Sequence, residues 1–209
     1  MRPLPIALSL PIAACLLAGC SGSAATTGAA DVALSTMAPI PGLALPASPL
    51  VALVPSPQEA PRGMVPLMTS SGPRNLAAVA GFSKDSAAAA ATLTAHGFTG
   101  AYVVQYADPH DGRVLSVVAS RFHDAAGATA DLASDEAAQS GTPVTIDPIG
   151  EATQARRSVL PGKAGGELLF VRFRSGSTTW LVAYGARPSA DPSVAVAVAK
   201  TVVLRAATA

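Results

Sequence analysis

Cysteine is almost absent from this chain: of 209 residues only Cys15 and Cys20 carry a thiol, both within the first twenty positions. Everything after them therefore lacks an internal disulfide, a thiol nucleophile and the thiolates of the common zinc sites. Aromatic residues are few, five Phe, three Tyr and one Trp, so a core must be built largely from Val, Leu and Ala. Charge is sparse and balanced, with 14 Lys and Arg against 13 Asp and Glu. Nucleic-acid binders carry a clustered basic surplus, and none is visible, so no nucleic-acid partner is expected. Beyond the N-terminal stretch no apolar run reaches the ~18 residues of a membrane span. Catalytic signatures are missing too. Thr69-Ser70-Ser71-Gly72 lacks the leading glycine of a Gly-x-Ser-x-Gly elbow. Gly162-Lys163-Ala164-Gly165-Gly166 lacks the Gly-Lys-Ser/Thr ending of a phosphate loop.

What is present starts at the N-terminus. Arg2 precedes an apolar run from Leu4 to Leu17, too short and too broken by Pro5 and Pro11 to span a bilayer. A basic start, a short apolar run and small residues before a cut have the logic of a secretory signal. The run ends in Leu17-Ala18-Gly19-Cys20, which resembles the lipobox of bacterial lipoproteins. That resemblance implies a diacylglyceryl group on the Cys20 thiol, cleavage before Cys20 and acylation, as by palmitate, of the new N-terminus. An ordinary signal with a chance cysteine is the competing reading. On the lipobox reading residues 1–19 are the signal peptide, and the chain is anchored by lipid to the cell membrane, outside the cytoplasm.

Residues 20–65 read as that anchor followed by a Pro/Ala-rich tether. Nine of the 18 prolines lie between Pro39 and Pro73, which disfavours helix and central strand. Forty such residues reach ~120 Å extended and roughly 35 Å as a coil. One piece is unlike a linker: Leu50-Val51-Ala52-Leu53-Val54 is continuously apolar between Pro49 and Pro55. It reads equally as solvated linker or as a cover on a sheet face.

Residues 66–209 read as one domain. Helices are expected near 73–80, over 85–96 with Gly97 as its stop, from an Asp124 cap to about Gln139, and over 191–205. Two hairpins are expected, 101–107 with 113–122 across the turn at 108–112, and 167–174 with 177–185 across Ser175-Gly176. Pairing Ala107 with Arg113 puts Tyr102, Val104 and Tyr106 on a face with Val114 and Val118. Pairing Phe173 with Thr178 gathers Leu169, Val171, Phe173, Trp180, Val182 and Tyr184 on one face, the best core candidate. Residues 152–159, with Arg156 and Arg157, suit a charged edge strand. The fold expected is α+β, two-layer, an antiparallel sheet of four or five strands with helices mainly on one face.

The polar residues offer little chemistry. His110 stands between Asp108 and Asp111, but Asp, Pro and Gly there are explained by the turn, so no metal is expected. Asp131, Asp135 and Glu136 read as a solvated helix face. Arg172 and Arg174 share a strand face and are the candidate anion contact, with a wet sheet face as the plainer reading. His96-Gly97-Phe98, Tyr102, Tyr106, Arg121-Phe122, Gly127-Ala128 and Phe173-Arg174-Ser175-Gly176 look like uncharacterised lipoproteins of high-GC Gram-positive bacteria, a resemblance that implies no activity. The expectation is a non-enzymatic, lipid-anchored extracytoplasmic domain that binds an envelope protein or other component and needs no cofactor. The alternative is a carrier holding an apolar ligand between sheet and helices, and a hydrolase comes third.

Overall fold

Valine and aromatic residues concentrated in two stretches of chain make the long strands of the sheet. The computed structural model describes residues 44–138, 141–159 and 165–206. In chain order these form β1 (Val65–Pro66), β2 (Gly72–Arg74), α1 (Leu76–Ala80), α2 (Ser86–Ala95), β3 (Phe98–Ala107) and β4 (Val114–Phe122). There follow α3 (Ala125–Ala138), β5 (Thr142–Pro143), β6 (Ala152–Val159), β7 (Glu167–Ser175), β8 (Thr178–Ala186) and α4 (Pro192–Ala206). The signal sequence and Cys20 lie outside the described residues, as do Gln139 and most of the loop at 161–166.

The strands form one antiparallel sheet in the order β1-β3-β4-β8-β7-β6-β5, with β2 also paired to β3. The expected four or five strands are therefore incorrect, because the sheet has eight. The strands that break the expectation are two or three residues long and hold Pro66, Pro73 and Pro143. Proline is tolerated on such edge pieces, where its missing N–H faces away from the ladder. The expectation of two layers also falls, since the sheet is covered on both faces.

One face carries the bulk. Tyr102, Val104 and Tyr106 of β3, Leu115 and Val117 of β4, Leu169, Val171 and Phe173 of β7, and Trp180, Val182 and Tyr184 of β8 are all buried in one cluster. Phe173 and Trp180 stack with centroids 5.2 Å apart. Two pieces of chain cover this face. Ala195, Val198, Ala199 and Val202 of α4 pack on one part of it. Residues 44–60 lie along the rest as a strap, and Leu53 and Val54 within it are 4% and 0% exposed. The stretch Leu50 to Val54 is thus a cover on the sheet, and residues placed in the tether by composition pack against the body from residue 44 onward.

The opposite face has smaller side chains at its middle, Ala101, Val103, Val118 and Leu181, with Phe98, Phe122 and Phe170 around them, together with Arg172 and Thr179. It carries α1, α2 and α3. Asn75 caps α1 by accepting the Ala78 N–H at 3.0 Å, and Asp85 caps α2 through the Ala88 N–H at 2.9 Å. Asp124 does the same for α3, accepting the Gly127 N–H at 2.8 Å. Glycine is required at position 127, since a Cβ there would lie 2.0 Å from the His96 carbonyl oxygen. The start of α3 and the end of α2 are in backbone contact at that point.

Candidate functional site

The helix-bearing face holds the candidate site residues, because alternation along β7 turns Phe170, Arg172 and Arg174 away from the Leu169-Val171-Phe173 side. Arg172 pairs in register with Leu181 of β8 and Gln154 of β6, and it is only 8% exposed. A buried guanidinium needs a counter-charge. Helix α3 supplies it: Ala128 and Leu132 on its inner stripe are buried, and Asp131 belongs to the same stripe. The Asp131 carboxylate accepts the Thr179 hydroxyl at 3.1 Å and acts electrostatically on Arg172.

The electrostatics follow from burial. Desolvation pushes Arg172 down to about 10, against the pull of Asp131. Desolvation pushes the Asp131 carboxyl up, opposed by Arg172, the Thr179 hydrogen bond and the nearby His96. Arg172 sits under α3, and Asp131 reaches from α3 to the sheet through Thr179. Arg174 is engaged elsewhere. It pairs with Glu151 at 2.6 Å and donates to the Gly176 carbonyl at 3.1 Å, while Glu151 accepts the Gly176 N–H at 2.8 Å. Each arginine of the expected anion contact therefore faces a carboxylate. Asp131 was placed on a solvated helix face by its charge alone; its helical spacing with Ala128 and Leu132 was the signal that it points inward.

Next to this network the face turns apolar. The pair α1 and α2 stands on the β3 side, α3 stands on β4, β7 and β8, and Ala128 of α3 packs with Ala89 and Leu93 of α2. Partly exposed Phe82 and Phe170 pack on Val103, Val118 and Leu181. Ser116, one alternation along β4, is 1% exposed and its hydroxyl has no hydrogen-bond partner. This seam of two aromatic rings over small aliphatic residues is the part of the face suited to apolar contact.

The remaining expected sites resolve as structure. Asp108 accepts the His110 N–H at 2.9 Å and pairs with Arg113 at 2.6 Å, and Arg113 also pairs with Asp111. The His110 N–H holds the Asp108 carboxyl below its ordinary value despite burial, with Arg113 adding to the effect. Among the described residues no group of three His, Asp or Glu side chains is placed to hold a metal. On the strap face a hollow of about 410 Å³ lies along the strap, lined by Ala44, Leu45, Val51, Val54, Pro57 and Arg205 among others.

No family model matches this sequence, and no curated protein matches it. Among solved structures, the extracellular domain of PknH from Mycobacterium tuberculosis has a similar fold. The TM-score is 0.52 at 14% identity, over 75% of this chain and 94% of that one. At that identity the likeness is one of fold.

Proposed function

We propose that this chain is an extracytoplasmic binding domain, held to the cell membrane through lipid on Cys20 and acting by contact rather than by catalysis. The fold likeness carries the reading: almost the whole of an extracellular domain, 94% of it, is matched by this chain. The sequence Leu17-Ala18-Gly19-Cys20 supports the address. The Phe82-Phe170 seam is the contact surface in this reading, and its partner is an envelope protein or another envelope component. Catalysis has no support in the sequence, which lacks a thiol after Cys20 and a nucleophile elbow.

Two or three acyl chains give stable membrane attachment where one is marginal. Cys20→Ala should therefore leave an unprocessed, unlipidated chain that no longer fractionates with the membrane by the lipid route. Mass spectrometry of the N-terminal peptide and membrane fractionation read this directly. A Cys20→Ala chain matured and retained like the wild type removes the lipid anchor from the reading.

A carrier is the second reading, and the strap-face hollow of about 410 Å³ is what favours it. That volume is within the ~300–1,000 Å³ of small-ligand sites. It is lined by the strap and by Arg205 of α4 with no residue of the sheet, and the strap-face core beside it holds the Phe173-Trp180 stack. Intact mass under native and denaturing conditions decides: a small molecule lost on denaturation supports the carrier.

A further inference from the structure

The strap is joined to the sheet in an unusual manner. Besides the ion pair of Glu59 with Arg205 at 3.2 Å, its described polar attachments to the body are side-chain donors aimed at its main-chain carbonyls. Tyr102 Oη donates to Pro46 O at 2.8 Å, Trp180 Nε1 to Leu53 O at 2.8 Å, Tyr106 Oη to Pro55 O at 2.7 Å and the Arg205 guanidinium to Val54 O at 3.0 Å. The donors are separated from their acceptors by 51 to 151 residues of chain. The apolar seats of Leu53 and Val54 are likewise provided by the sheet and α4. None of these contacts depends on the strap and the body belonging to the same copy.

What ties them together is a turn of three residues. Pro61 O accepts the Met64 N–H at 3.1 Å, and Arg113 donates to Arg62 O at 3.2 Å. Gly63 adopts φ +88°, and a Cβ on it would lie 2.5 Å from Asp108 Oδ2. A side chain at this position is strained by that φ and meets the Asp108 carboxylate. Glycine holds this turn without strain, and extending it carries the strap away from its own sheet without altering any seat on it.

We propose that the strap face accepts the strap of a second copy, so that two chains exchange residues 44–60 about the hinge at 61–63. Each body in such a dimer is incomplete without the other's strap, and the contacts made are those of the closed monomer. The two forms differ only in the hinge and in concentration. A hinge this short gives the closed form an effective concentration of about millimolar, so exchange is favoured where copies are crowded. Swapping of an identical element is a low-cost route to a dimer and responds to hinge substitutions. The inference is independent of the binding reading and of the Phe82-Phe170 seam.

The test uses the full chain in detergent, with two arms. Gly63→Val disfavours the closed hinge by conformation and by the clash with Asp108, and should raise the dimer fraction at a given concentration about tenfold or more. Light scattering reads the mass and Trp180 emission reads the strap: an exchanged dimer keeps the buried-indole spectrum. The wild type is refolded from denaturant at millimolar and at micromolar concentration. Exchange predicts a dimer from the concentrated sample that persists on dilution and reverts to monomer after a second, dilute refolding. A folded Gly63→Val monomer with buried Trp180 overturns the proposal, as does a dimer with solvent-exposed Trp180. If Gly63→Val does not fold, a wild type that is monomeric from both refoldings overturns it alone.

Discussion

The two faces of the sheet solve the same burial problem with different covers. On the strap face the bulk is in the sheet: Trp180, Phe173, Tyr102, Tyr106 and Tyr184 rise from the strands, and a thin run of backbone lies over them. On the other face the middle of the sheet carries Ala101, Val103, Val118 and Leu181, the larger Phe98, Phe122 and Phe170 stand around them, and the elements above add Phe82, Leu93 and Leu132. The polar chemistry divides in the same manner. The strap face satisfies its buried donors with peptide carbonyls, while the helix face buries a carboxylate and a guanidinium together. A neutral donor on a carbonyl fixes position at low desolvation cost, whereas a buried ion pair holds α3 at the risk of an uncompensated charge.

The largest effect that would break this contrast is at Trp180, which is 2% exposed, stacks on Phe173 and caps Leu53. Trp180→Ala should lower the unfolding free energy by about 3–5 kcal/mol, as buried aromatic truncations do, measured by urea denaturation. On the helix face, Arg172→Met should cost ~3 kcal/mol because Asp131 loses its cation. Adding Asp131→Leu should bring stability back to the wild-type level or above, since buried pairs replaced by apolar groups are often neutral or better. A double variant as weak as the single one would show that the pair contributes net stability.

Single hydroxyls sharpen the comparison. Burial pushes the Tyr106 hydroxyl well above its ordinary value, as suits a donor kept neutral. Tyr106→Phe leaves Pro55 O without its donor in a buried site and should cost about 1–3 kcal/mol. Tyr102→Phe, whose bond to Pro46 is only partly buried, should cost less, near the ~1 kcal/mol of an ordinary hydrogen bond. Equal losses in the two would remove the graded burial of the strap.

Acid gives the smallest and most selective effect. Burial would raise the Glu59 carboxyl, but the Ser56 N–H and hydroxyl and the Arg205 guanidinium outweigh it and hold it below 4.5. Its contribution is full above 4.5 and is lost as pH falls through the depressed folded value. Asp131 has the opposite sign: its raised carboxyl weakens the fold at neutral pH, and that cost is relieved on acidification. The Tm gap between wild type and Glu59→Gln should therefore be open at neutral pH and close below pH 4.5. A gap that persists in acid would detach Glu59 from the strap's hold.

How much of this was legible in the sequence is best seen in the two hairpins. The second was read two residues out of register, Phe173 against Thr178 where it pairs with Trp180. A shift of two preserves the faces, so the aromatic core set was right. The first was read one residue out, Ala107 against Arg113 where it pairs with Val114. A shift of one exchanges the faces, so Leu115 and Val117 rather than Val114 and Val118 join Tyr102 and Tyr106. Local signals served the helices well, since Asp85, Asp124 and Gly97 are cap and stop as their chemistry requires. The strap escaped because proline spacing describes an extended path, and a path says nothing of whether a sheet lies beneath it. In the candidate site, Arg172 was visible as a face position while its partner Asp131 was masked by the ordinary rule that helix charges are solvated.

The strap also settles how the body carries a load. Among the described residues, a pull on the N-terminal side first meets the bond of Tyr102 to Pro46, followed along the chain by those at Leu53, Val54 and Pro55. The bond at Pro46 stands apart from the group at Leu53, Val54 and Pro55, so it is loaded before them. The long ladders of β3, β4, β8 and β7 lie behind it and stay unloaded until the strap and its turn at Gly63 are drawn straight. Tension would therefore release the Tyr102 seat first and the Trp180 seat after it, ahead of the helix face and its seam.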